Sequence, residues 1–231
     1  MMDADFVAFF MSILSLFSGG TGLPLGVPPE EDPFMQKVAP EECLAYVSWA
    51  GMKKPDAGSE NSTEAMLAEP EVQRIIAEVD RRLVDALTSS VEGEAGSREA
   101  LIAEHGVALA RPLLMRPTAL FVESFAMGDR GPDVRGGALV NLGEDAEDVQ
   151  KSLEKLQAQL PEGSVENVEV AGTEAYKVSF GPDMPAVTWG LKGSYLLVGV
   201  GPESFEGVLA RVKTDPPAWL ADQLVRSEVK R

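Results

Sequence analysis

The chain has one cysteine, one histidine, little positive charge and no long apolar run. The single cysteine, Cys43, excludes an intramolecular disulfide and supplies no Cys cluster for zinc or an iron–sulfur group. A cysteine nucleophile also needs a base to lower its pKa. The one histidine, His105, lies far along the chain in a different expected element. Lys and Arg number 20 against 37 carboxylates, a net charge of -17. Such a chain repels phosphate backbones and anionic membrane surfaces unless a local basic patch offsets the field. None is found, since Arg81-Arg82 lies between Asp80 and Asp85. Nucleic acid is therefore excluded as a partner. The longest apolar run, residues 6–17 (FVAFFMSILSLF), falls short of the roughly twenty residues that cross a bilayer as a helix. No transmembrane span is expected.

What remains is an ordinary globular composition, 45% hydrophobic and 25% charged over 231 residues, ample for a real core. Residues 1–20 read as a signal or apolar N-terminal segment. The run 6–17 has the length of a secretory h-region, and Ser18-Gly19-Gly20 follows where a cleavage site would lie. Ahead of it stand Asp3 and Asp5 with no Lys or Arg, so a partner-docking helix and an interfacial anchor stay open beside the preferred export reading. Residues 21–39, with Gly, Pro and the acidic group Glu30-Glu31-Asp32, read as a linker with a solvated acidic run. The folded domain is expected over 40–214. Residues 215–231 read as a tail or the start of a further element.

The stretch 186–212 organises the rest. Tyr195 to Val200 has apolar side chains on both faces of a strand, which suits a central position. Lys192-Gly193 marks the turn before it. Gly201-Pro202 opens a helix with Pro at its first position, and Phe205, Val208, Leu209 and Val212 form one stripe. Upstream, Cys43–Ala50 reads as a strand whose cysteine is a buried small hydrophobe. Thr63–Glu69 is a short helix capped by Asn61, Ser62 or Thr63. A longer helix starts at Pro70, with Val72, Ile75, Ile76, Val79, Leu83 and Leu87 on one face, and a further helix spans about Ser97–Ala110. Strands follow at Thr118–Phe125 and Gly136–Leu142, then a helix from about Glu144 to Leu160 with a stripe of Ala146, Val149, Leu153, Leu156 and Leu160. Val165–Val170 and Ala175–Phe180 form a meander. The order strand, strand, helix occurs twice. The class expected is α+β: a mainly antiparallel sheet with helices packed on it, built from two related ββα units.

Candidate chemistry is sparse. His105 is the one side chain whose unperturbed pKa lies near neutrality. Its position before Gly106, at the expected end of a helix, suits a favourable contact with the negative helix terminus. Asp129 and Asp133 flank a turn with no third ligand in reach. Glu144, Asp145, Glu147 and Asp148 stand where carboxylates complement a helix N-terminus, without the alternating pattern of a calcium loop. Gly199-Val200-Gly201 leads from strand to helix, but no phosphate-loop motif is completed and Glu203 follows where positive charge is needed. No cofactor or metal is expected. A hydrolase using His105, Asp129 or Asp133 is the catalytic alternative.

Three segments carry a resemblance: Val38-Ala39-Pro40-Glu41-Glu42-Cys43-Leu44-Ala45-Tyr46-Val47, Leu67-Ala68-Glu69-Pro70-Glu71-Val72, and Arg116-Pro117-Thr118-Ala119 before a strand. Over Val38 to Val212 the chain resembles uncharacterised exported proteins of planctomycete-like bacteria, grouped as domains of unknown function. The resemblance implies export and a second similar domain, and brings no catalytic residues. The expectation is a non-catalytic secreted or cell-envelope module that binds a protein or envelope component. The alternatives are the hydrolase and an oligomerising structural subunit that pairs through an exposed strand edge.

Overall fold

The computed structural model describes residues 31–89, 105–106, 109, 112–113, 115–128, 131–179, 181 and 183–220. Among them, seven strands form one sheet: β1 (Ala45–Trp49), β2 (Thr118–Gly128), β3 (Gly131–Asn141), β4 (Val165–Val170), β5 (Thr173–Val178), β6 (Val187–Lys192) and β7 (Tyr195–Val200), in the spatial order β1-β2-β3-β7-β6-β5-β4. Every pairing is antiparallel. The chain runs β1, β2, β3 toward the centre, crosses to the far edge, and returns through a four-strand meander that ends with β7 beside β3. The expected α+β class is the observed one.

Five helices carry element boundaries: α1 (Pro33–Lys37), α2 (Ser62–Leu67), α3 (Pro70–Ser89), α4 (Ala146–Gln157) and α5 (Ser204–Arg211). Residues 105, 106, 109, 112, 113 and 115 are helical as well. No helix among the described residues is long and apolar enough to cross a membrane.

The centre of the sheet is buried on both faces, as the apolar run of β7 requires. Leu139 and Leu197 oppose each other across β3 and β7 and belong to one core with Met35, Val38, Phe121, Phe205, Val208 and Leu209. Val140 and Leu196, one residue along each strand, point the other way. They join a second core with Leu142 and Val149, against which Leu109, Leu113 and Leu153 pack. Thus α1 and α5 cover one face, while α4 and the 105–115 helical residues cover the other. Burying side chains such as Phe205, Val208 and Leu209 stabilises each contact by roughly 1.5–3 kcal/mol, which a helix as short as α5 needs in order to form. The two ββα segments therefore share an order but not a packing. Units related by a two-fold axis between antiparallel β3 and β7 would place both helices on one face.

Three stretches depart from expectation. Within the stretch read as a linker, Asp32 caps α1, and Met35, Val38 and Ala39 are buried. Within residues 215–231, read as a tail or the start of a further element, residues 218–220 are helical, Leu220 is buried and the Trp219 indole donates to the Pro40 carbonyl at 2.9 Å, which departs from a free tail. Helix α5 begins at Ser204, not at Pro202. Gly201 (φ 86) and Glu203 (φ 58) both take left-handed backbone first, so Pro202 sits in a turn. Other signals hold. Asn61 caps α2 by accepting from the Thr63 and Glu64 amides, Gly193 (φ 60) makes the β6–β7 turn, and the α5 stripe faces the sheet. Along α3, which packs against α2, Ile75 is exposed and Val72 and Ile76 are half-buried; the side chains of Val79, Leu83 and Leu87 lie outside the described residues.

Candidate functional site

Strand β1 pairs with β2 on one side, and its other side is the open edge of the sheet. The Leu44 amide donates to the Val122 carbonyl at 2.8 Å. The Asn141 amide donates to the Pro117 carbonyl, so positions 117, 119 and 121 turn their main-chain groups to β3 and positions 118, 120 and 122 turn theirs to β1. In the observed register Ala45, Val47 and Trp49, opposite Val122, Leu120 and Thr118, therefore face β2, and the main-chain groups of Tyr46 and Ser48 face outward. Ala45, Val47 and Ser48 are exposed, Val47 at 56%. No residue of Ala45-Tyr46-Val47-Ser48-Trp49 carries charge. The opposite edge strand, β4, reads Val165-Glu166-Asn167-Val168-Glu169-Val170 and exposes both glutamates. Charged side chains of this kind blunt an edge against pairing. β4 has them and β1 does not.

A groove of about 680 Å³ runs along this edge, lined by Glu41 to Tyr46 and Trp219. Trp219 stacks edge-on against Tyr46, with ring centroids 5.8 Å apart, and the Tyr46 hydroxyl donates to the Met35 carbonyl at 2.6 Å. Two aromatic rings are thus pinned beside an unpaired backbone. On the opposite face of the sheet, Val47 pairs with Leu120. Beyond a bulge between Val122 and Ser124, Phe125 and Met127 pair with Val134 and Pro132. Alternation places Val47, Phe125 and Met127 on one face, and all three are exposed. Apolar side chains clustered this way mark interaction surfaces more often than scattered ones do.

Cys43 lines the groove half-buried, where a buried small hydrophobe was expected. Burial, and then the Glu123 carboxylate, push its thiol above the ordinary value, against a smaller opposing effect of Arg211. That shift is the reverse of what activates a nucleophile. Glu123 lies at the bulge and accepts from Arg211 Nη1 at 2.7 Å, with Arg135 Nε 3.9 Å from its other oxygen.

The residues singled out for catalysis are not brought together. His105 is buried and helical, and Leu109 and Leu113, also helical, pack against the second core. Asp133 is exposed on the outer part of β3, opposite Ala126. No hydrogen bond or ion pair joins Asp133 to His105 among the described residues, and Asp129 lies outside them. Of the acidic group opening the helix after β3, Asp145 is taken by Arg116 Nε at 2.6 Å and Asp148 by Lys151 at 3.5 Å. Among the described residues no three His, Cys, Asp or Glu side chains gather as a metal would require. Gly199 serves packing: a Cβ there would lie 2.3 Å from the Phe205 amide nitrogen.

The uncharged edge was open to reading from composition, since AYVSW and VENVEV differ in charge. Which strand lies at an edge was not. No family model matches the chain, and comparison with curated proteins and with solved structures found no match.

Proposed function

We propose that the chain is a non-catalytic binding module of the secreted or cell-envelope kind, which engages a protein or envelope component through the open edge of β1. One observation carries the reading: β1 combines outward main-chain donors and acceptors, no charge, and a flanking groove with Tyr46 and Trp219 in its wall. Strand addition at a sheet edge takes affinity from main-chain hydrogen bonds and selectivity from side-chain pockets beside them. The placement outside the cytoplasm rests on the apolar run 6–17 and on the resemblance to exported proteins.

The test is selection of displayed random peptides on the immobilised protein, with Ser48→Pro as the comparison. The Ser48 N–H faces outward, so Pro removes an edge donor without removing a bond to β2. Enrichment that is lost on the variant supports the reading. No enrichment, or enrichment indifferent to Ser48→Pro, overturns it.

A further inference from the structure

We infer that the occupant of the β1 edge is a second copy of this chain, paired antiparallel across a two-fold axis at Val47. The inference rests on the reading of β1 as the interaction surface and names its partner.

The two edges of the sheet differ in what a copy would meet. Two β4 strands brought together would set Glu166 and Glu169 against the same carboxylates of the other copy, in a protein already at -17. Two β1 strands set no charge against charge. What flanks β1 is complementary to itself. Glu41-Glu42 precedes the strand and Lys53-Lys54 follows it, all four exposed. Antiparallel pairing about Val47 carries the acidic end of each copy toward the basic end of the other. Past Trp49 the chain turns at Gly51 (φ 79) but stays beside the segment that leads into β2, since the Met52 amide donates to the Met115 carbonyl at 2.8 Å.

The register also fits the side chains. Val47 pairs with Val47 of the copy, both exposed and both on the face that carries Phe125 and Met127. Ala45, small and exposed, falls opposite the second copy's Trp49, and Trp49 opposite the second copy's Ala45. Small-against-large pairs of this kind pack well across strands. The outward main-chain groups of Tyr46 and Ser48 fall opposite the second copy's Ser48 and Tyr46, so all are paired in this register and in neither of those shifted by one residue. The interface is isologous and closes on itself, so it yields a dimer and not a fibre. It also brings two Phe125–Met127 patches onto one continuous face. A partner unrelated in sequence has no reason to carry matching charges at both ends of its strand, which favours a copy over a foreign peptide.

The test combines sedimentation with cysteine cross-linking on the intact chain. In a Cys43→Ser background, Val47→Cys is expected to form a disulfide dimer on mild oxidation. Val47 and its copy form the non-hydrogen-bonded pair of this register, with Cα atoms about 4.5 Å apart, within the roughly 4.4–6.8 Å a disulfide spans. Ala45→Cys in the same background is expected not to do so, because its own copy lies several residues away. The wild type is expected to shift from monomer to dimer as its concentration rises, and Ser48→Pro to stay monomeric with its β1–β2 bonds and melting curve kept. Glu41→Lys with Glu42→Lys is expected to weaken the dimer about tenfold, and adding Lys54→Glu to restore part of the loss. A wild type that stays monomeric at every concentration overturns the proposal. So does a Ser48→Pro dimer, or equal cross-linking at 45 and 47. A monomer that still captures peptides, and loses them on Ser48→Pro, removes the copy as occupant and leaves the β1 edge as the binding surface. Loss of both removes both.

Discussion

The Asp32 carboxylate and the Tyr195 hydroxyl lie 2.9 Å apart, tying the start of α1 to the start of the central strand β7. The same carboxylate accepts from the Phe34 amide at 2.9 Å as a helix cap and from Asn141 Nδ2 at 2.7 Å. Asn141 in turn accepts from Ser194 Oγ and from the Gly143 amide. One carboxylate thus fixes three elements, and its removal leaves half-buried donors without a partner. Asp32→Ala is expected to cost about 1–3 kcal/mol, and Tyr195→Phe about 1 kcal/mol. The double variant should lose less than the two losses added, because both remove one shared bond. Urea denaturation of the four proteins measures this, and strict additivity would show the contact to be idle.

The same pair predicts an alkaline limit. Burial, and then the hydrogen bond to Asp32, push the Tyr195 phenol above its ordinary range, so the fold prefers the neutral form. For a pKa raised on folding, the stabilisation is complete below the unfolded value of about 10 and is lost as pH climbs from there through the folded value. Tyr46, raised chiefly by burial, adds to the effect. The melting temperature of the wild type should therefore fall more steeply above about pH 10 than that of Tyr195→Phe. Parallel curves would contradict the assignment.

Gly137 and Gly199 stand opposite each other on β3 and β7, under α5. A Cβ on Gly199 would lie 2.3 Å from the Phe205 nitrogen, and one on Gly137 2.5 Å from the Val198 oxygen and 2.8 Å from the Phe121 ring. The backbone contacts cannot be relieved by turning a side chain. Gly199→Ala should cost about 1–3 kcal/mol or more by lifting α5 off the sheet. Gly106 is the opposite case: it is helical, and a Cβ there would meet nothing within 4 Å among the described residues. Gly106→Ala should stabilise the protein by roughly 0.5–1 kcal/mol through helix propensity alone. Thermal melts of the two variants should move in opposite directions.

How far the chain could be read in advance follows from the range of the forces involved. The β6–β7–α5 segment was legible because its cues are local: an apolar run, a Gly turn, and a stripe at helical spacing. Asp32 was not, since an acidic group between prolines reads as solvated, and the partner that gives it a role lies 163 residues away. Helix α1 is a single turn, too short to show a period. The start of α5 was placed at Pro202 because proline suits a first helical position. The left-handed Glu203 then delays the helix, and no local residue announces that. For the β1 edge, the lack of charge was legible, whereas the exposure of Val47 depends on strand order. His105 and Asp133 stand out in the sequence by residue type alone, and the fold buries one and leaves the other exposed on a strand.

Arg211 offers the last test, because it joins α5 to the bulge beside β1. Its Nε donates to the Val38 carbonyl at 2.9 Å, its Nη1 donates to Glu123 at 2.7 Å, and its guanidinium lies 4.6 Å from the centre of the Phe121 ring. Nη2, buried, donates to no partner among the described atoms. Both ends of the ion pair are mostly buried, at 20% and 17% side-chain exposure, so breaking it leaves a carboxylate poorly solvated. Arg211→Ala should therefore cost about 2–4 kcal/mol. Arg211→Lys should recover little of it, since an ammonium cannot reproduce the planar fork or its placement over the ring. Replacing both partners, as Arg211→Met with Glu123→Gln, should cost less than Arg211→Ala, because no charge is then stranded. Cys43 supplies an independent readout. Arg211 lowers its thiol pKa while Glu123 raises it. Arg211→Ala should slow labelling of the thiol near neutral pH, and Glu123→Gln should speed it. If both changes shift labelling in the same direction, the effect is one of exposure and not of charge, and the electrostatic account of this corner fails.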